Sequence, residues 1–99
     1  MKFGFSEEQQ KYIDEQLIAP LKNLNAKVYI FGSRATGKQR KYSDVDVLVT
    51  PKNQNLEKCI SGIKEKFENE NFPFKIDIVF DEDLAESYRL SVESQKIEI

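Results

Sequence analysis

Apolar residues recur along this chain in two rhythms. Tyr12, Ile13, Leu17, Leu21 and Leu24 fall at roughly helical spacing. They follow Ser6-Glu7-Glu8-Gln9, where Ser6 and Gln9 have the spacing of a capping box and the two glutamates suit the positive end of a helix dipole. The pattern predicts a helix over residues 7–24, kinked or ended in its first part by Pro20, which lacks an N–H. Residues 27–31 then form a β-branched and aromatic run closed by Gly32, which reads as an interior strand because both faces are apolar. Residues 33–36 read as a short helical turn and Gly37-Lys38-Gln39-Arg40-Lys41 as a polar, basic loop. A second strand follows over 44–50, closed by Pro51.

Asn53 or Asn55 can cap the next helix, whose buried stripe is Leu56, Cys59, Ile60, Ile63 and Phe67. Gly62 weakens that helix and suggests close packing there. Asn69-Glu70-Asn71 and Pro73 end it. Residues 74–80 alternate as a third strand, with Ile76, Ile78 and Phe80 on one face and Lys75, Asp77 and Val79 on the other. A last helix over 81–94 would turn Leu84, Tyr88 and Val92 inward, and Ile97-Glu98-Ile99 is a short strand or a frayed tail. The connection between strands one and two is too short for a standard crossover between parallel strands. The expectation is one α/β (α+β) domain over residues 1–99, a three- to four-stranded mixed sheet flanked by helices.

Composition narrows what such a domain can do. With 99 residues, about 60–65% of the unfolded chain's surface can be buried, so there is one core and no separate substrate domain. A net charge of −2 argues against bulk electrostatic binding to nucleic acid or anionic membrane. The first residues lack the apolar core of a signal peptide, no stretch approaches a membrane span, and the single Cys59 excludes an internal disulfide, so the cytoplasm is the expected setting. Histidine is absent, which removes the commonest general base and histidine metal sites. Metal binding would rest on carboxylates, favouring hard cations such as Mg²⁺ or Mn²⁺.

The candidate chemistry lies between Phe31 and Val49. Residues two apart on a strand share a face, so Asp44 and Asp46 project together while Val45 points into the core. Two carboxylates so placed repel unless a cation lies between them. Asp77 lies mid-strand between two isoleucines, and joins the pair if strand three lies beside strand two. Gly32 permits a sharp turn and close approach of a ligand, and Ser33 adds a hydroxyl and opens a helical turn whose free N–H groups favour an anion. Arg34, Lys38, Arg40 and Lys41 supply nearby positive charge.

The pattern G-S-x10-D-x-D, with a third aspartate on a later strand, resembles the DNA polymerase β-like nucleotidyltransferase superfamily, and within it the minimal nucleotidyltransferases (MNT). The resemblance covers roughly residues 28–80 and extends to Arg34, Ala35, Gly37 and Ser43. It implies the palm-like nucleotidyltransferase fold, with Gly32, Ser33, Arg34 and Ser43 on the nucleotide, and Asp44, Asp46 and Asp77 as catalytic residues holding two Mg²⁺ ions. It further implies transfer of AMP from ATP, or another nucleoside triphosphate, to a tyrosine of a helical HEPN toxin, the chain acting as antitoxin. Two alternatives remain: an antitoxin that only masks its toxin by binding, and a transferase acting on a small molecule or RNA.

Overall fold

The central strand pair sets the frame. The structure, a computed structural model, describes residues 2–99. Strand β1 (Lys27–Phe31) runs antiparallel to β2 (Val45–Thr50), with Val28 opposite Val49 and Ile30 opposite Val47. The only element between them is the four-residue helix α3 (Ser33–Thr36), too short for a parallel crossover. β2 then runs through α4 (Gln54–Asn69) into β3 (Ile76–Phe80), which pairs with it in parallel. After α5 (Glu86–Gln95), the two residues of β4 (Ile97–Glu98) add antiparallel to β1. The sheet order is β3-β2-β1-β4, a mixed sheet of four strands as the sequence predicts, with Ile97-Glu98 resolved as a strand.

Alternation sorts the two faces. Val28, Ile30, Val45, Val47 and Val49 are buried together with Ile13, Leu17 and Leu21 of the N-terminal helical segment and with Leu56, Ile60, Ile63 and Phe67 of α4. Leu48 alternates onto the opposite face yet is fully buried, so that face is covered too. α5 lies there: its Val92 is buried outside the main cluster, and it faces Phe31 and Gly32 across a cavity. Asp46, Asp77, Phe31 and Tyr29 share this second face. No helix among the described residues is long and apolar enough to cross a membrane.

The N-terminal helix begins as predicted, with Ser6 and Gln9 forming a reciprocal capping box. It continues from α1 (Glu7–Ile13) through a π-helical segment, Asp14–Ile18, into α2 (Ala19–Asn23). Pro20 neither ends nor breaks it. The ring of Pro20 offers no N–H and crowds the preceding turn, and the wider turn, in which the Ala19 amide donates to the Asp14 carbonyl, accommodates both. α4 is capped by Asn53, whose side chain accepts from the Leu56 amide at 2.9 Å. A ring cluster of Phe5, Tyr12, Phe67, Phe72 and Phe74 ties α1 to the α4–β3 connection.

Several expectations need correction. β2 starts at Val45 and β3 at Ile76, because Phe74 leaves the ladder to join the ring cluster. The last helix is split: Asp81–Asp83 form a 3₁₀ turn, and Leu84 and Ala85 are extended before α5 begins. Arg89 reaches back to Asp81, pairing with its carboxylate and donating to its carbonyl, and holds the turn. Tyr88 lies on the sheet side of α5 but borders an open cavity there, 63% exposed, rather than packing into the core. Cys59 sits at the margin of the core, half-buried, where burial pushes its thiol up from the ordinary value. Gly62 lies on the open side of α4, with nothing near enough to meet a Cβ, so its role is not close packing.

Two predictions follow from these placements. Gly62→Ala should stabilise the fold by about 0.5–1 kcal/mol, read as a raised denaturation midpoint at unchanged m-value. The Tyr12 hydroxyl donates to Glu70 at 2.5 Å, and burial, this bond and the Glu70 charge push it up to about 12. Since the folded value lies above the unfolded one, its stabilisation is complete below about pH 10 and is lost as pH rises through about 12. Ultraviolet titration should show one of the four tyrosines ionising late, and that step should vanish in Tyr12→Phe.

Candidate functional site

The register of two strands builds the site. Asp46 and Asp77 are direct partners across the parallel β2–β3 pair, so their Cα atoms stand about 4.8 Å apart and their side chains rise from the same face. The Val45 amide donates to the Lys75 carbonyl at 2.8 Å, anchoring this register at its open end. Asp44 lies one residue before β2 and is exposed. Burial, then the charges of Asp77 and Asp44, push the Asp46 carboxyl up from its ordinary value. Both neighbouring acids are therefore close enough to act on Asp46. They are not a preformed cage, since among the described residues no three acids or thiols stand at metal-holding distance.

Gly32 closes the other side. It ends β1 with φ +77°, a conformation that L side chains rarely adopt. A Cβ there would sit 2.4 Å from Asp46 Oδ2, so the carboxylate occupies the space that the missing side chain leaves. α3 begins at once with Ser33. The Ala35 and Thr36 amides return to the Gly32 carbonyl, whereas those of Ser33 and Arg34 donate to no acceptor among the described residues. The Gly32 amide itself is taken by the side-chain oxygen of Gln95, at 3.2 Å.

Arg34 departs from the sequence expectation. Its side chain is turned away from the turn into the protein, with 2% exposure. Nε and Nη2 donate to the Ser43 carbonyl at 3.2 and 2.8 Å, and Nη1 donates to the Phe3 carbonyl at 2.9 Å. The guanidinium lies over the rings of Phe74 (4.1 Å) and Phe5 (4.7 Å). Burial lowers its pKa, opposed by the charge of Asp44. With its donors on internal carbonyls, the side chain holds the loop before Asp44, the N-terminal segment and the lead into β3, rather than a ligand. Ser43 too has internal partners. Its hydroxyl accepts from the Arg40 amide at 2.7 Å and its carbonyl serves Arg34, so it shapes the loop that presents Asp44. Lys38, Arg40 and Lys41 are exposed, and the Lys41 ammonium lies over the exposed Tyr42 ring.

The donor set fits a hard divalent cation. Asp46 and Asp77 are adjacent oxygen donors that repel while unneutralised, Asp44 lies exposed near enough for its charge to act on Asp46, and neither histidine nor thiol competes. Lys75 offers Asp77 only a loose, exposed ion pair at 3.9 Å. Two openings flank the acids: a groove of about 460 Å³ along the β3 edge, which ends at Asp77, and a cavity of about 300 Å³ between Gly32 and α5.

This arrangement matches a known class. Residues 11–99 fit the family model described as a nucleotidyltransferase domain, and the chain belongs to that family. Among solved structures it is similar to a toxin–antitoxin structure with AMP-PNP, at 20% identity and TM-score 0.62, covering 86% of this chain and 70% of that one. It is also similar to a candidate minimal nucleotidyltransferase, at 26% identity and TM-score 0.61, covering 92% and 95%. The α/β architecture is that of the minimal nucleotidyltransferases, as the motif suggests. None of the curated proteins compared with the chain matches it significantly.

Sequence reasoning did not find Gln95 or the Phe3 carbonyl. Neither carries a motif signal; each reaches the site only because β4 and the N-terminal turn fold back onto it. Replacing Arg34 by Ala strands two carbonyls and empties the space between two rings. The expected cost is about 2–4 kcal/mol, read by chemical denaturation, with Arg34→Lys recovering only part because it lacks the planar fork.

Proposed function

We propose that this chain is a metal-dependent nucleotidyltransferase that moves AMP from ATP to a hydroxyl, a tyrosine, of a helical HEPN-type toxin in the cytoplasm, and so acts as its antitoxin. The observation that carries the reading is the pairing of Asp46 with Asp77 beside the Gly32 turn. A toxin–antitoxin structure with AMP-PNP among the similar folds supports an adenine nucleotide and a toxin as partner.

Gly32 lets a phosphate approach the backbone, and the free amides of Ser33 and Arg34 with the Ser33 hydroxyl orient its oxygens. Asp44, Asp46 and Asp77 would hold Mg²⁺, two ions in this reading, with Mn²⁺ as a substitute. When bound, the metal neutralises charge on the triphosphate and on the attacking and departing oxygens. The acceptor oxygen attacks the α-phosphorus in line, the bond to the β-phosphate oxygen breaks, and pyrophosphate leaves. Asp77 takes the hydroxyl proton, since it borders the open groove on the β3 edge and no histidine exists to do so. A small-molecule or RNA acceptor is the less favoured reading, because the charge balance offers no nucleic-acid track.

One feature favours the rival, masking by binding alone: Leu90, on the side of α5 away from the cavity, is 87% exposed and open to a partner. The test separates the two. With α-labelled ATP and Mg²⁺ in an extract of the native cell, the wild type should label one partner protein. Asp77→Asn should cut transfer by about 10²–10⁴-fold while retaining ATP binding. Asp44→Asn/Asp46→Asn should abolish both transfer and neutralisation. Neutralisation that survives the double change would establish masking instead.

A further inference from the structure

The cavity between β1 and α5 has a chemistry of its own. It opens on the sheet face that carries Asp46, and Gly32 forms part of its wall. Phe31 contributes a ring from the strand, and Leu84, Tyr88 and Val92 line it from the α5 side. At about 300 Å³ it sits at the small end of ligand sites, with room for a flat bicyclic group but not for a whole nucleotide. Its polar edge is Gln95 with Ser91. The Gln95 side-chain oxygen accepts from the Gly32 amide at 3.2 Å, and Nε2 donates to the Ser91 hydroxyl at 3.1 Å. A carboxamide has two donors and two acceptor sites, so one N–H and one lone pair of Gln95 remain.

From this we infer that the cavity is the base-binding half of the nucleotide site, and that Gln95 reads adenine. The inference rests on the nucleotidyltransfer reading above and extends it to base selection. A carboxamide with one N–H and one lone pair to spare has the donor and acceptor that complement the N7 acceptor and N6 donor of adenine. Guanine presents acceptors at both positions and would set its O6 against the amide oxygen. Phe31 and Tyr88 supply rings for stacking, which tolerates any base, so selection falls to Gln95. Because Gly32 borders both the cavity and Asp46, a base held here sends its ribose and α-phosphate across Gly32 to the acids. The 63% exposure of Tyr88 fits a residue that gains its partner from the ligand.

Calorimetric titration of the full chain with Mg²⁺ and three probes, ATP, GTP and inorganic tripolyphosphate, tests this. The wild type should bind ATP about tenfold or more tighter than GTP or tripolyphosphate. Tyr88→Ala, an exposed change, and Ser91→Leu, which fills the cavity, should each weaken ATP about tenfold and leave tripolyphosphate within about twofold. The tripolyphosphate value also reports whether each variant is folded. Unchanged ATP affinity in both variants, with tripolyphosphate still bound, overturns the base pocket and leaves the transferase reading standing. Equal ATP and GTP affinities overturn the role of Gln95. A wild type that binds neither ATP nor tripolyphosphate sinks both readings at once. An acceptor group seated in the cavity instead would show as unchanged ATP affinity with reduced transfer to the partner.

Discussion

Two like charges held side by side constrain everything else in this protein. Strand register places Asp46 against Asp77, and the missing Cβ of Gly32 lets the Asp46 carboxylate sink partly out of water. Each choice opposes stability: burial and repulsion both disfavour the ionised forms. A chain of 99 residues has little core with which to offset them. The compensation is placed directly behind the acids, where Val45, Val47 and Val49 alternate with them and lie almost fully buried. The strand that carries the destabilising group is thus the most deeply anchored one in the sheet.

Arg34 performs the matching task from below. A buried guanidinium is costly unless hydrogen-bonded, and here its partners come from three separate stretches: the Phe3 carbonyl, the Ser43 carbonyl and the Phe74 ring. One side chain therefore fixes the N-terminal turn, the loop entering β2 and the segment entering β3. The last two deliver Asp44 and Asp77. Its positive charge lies near enough to Asp44 to be felt, though no direct bond joins them. The aromatic cluster from Phe5 to Tyr12 extends this clamp to α1, so the N-terminal helix supports the site without contributing a group to it.

The last residues have the complementary role on the opposite face. β4 adds two residues to the free edge of β1, and this pairing sets the height of α5 over the sheet. Gln95, at the end of α5, then reaches the Gly32 amide. α5 leaves Tyr88 and Leu90 open to solvent while burying Val92, so it is packed on one side only. A helix so placed closes a cavity toward the sheet and turns Leu90 to solvent.

Local pattern alone carried much of this. Alternation at 44–50 and 74–80 separated the acids from the valines and isoleucines, Ser6 with Gln9 specified the helix start, and G-S-x10-D-x-D located the site, because each depends on spacing within a short stretch. The short link between β1 and β2 also foretold a mixed sheet. The direction in which Arg34 points, the exposure of Tyr88, the open side of Gly62 and the reach of Gln95 were decided only in three dimensions. Their partners lie as many as 63 residues away, as for Gln95 and Gly32, and no periodicity reports on such a distance. Sequence spacing determines which face a residue takes on its own element; what meets that face is settled by how the elements pack.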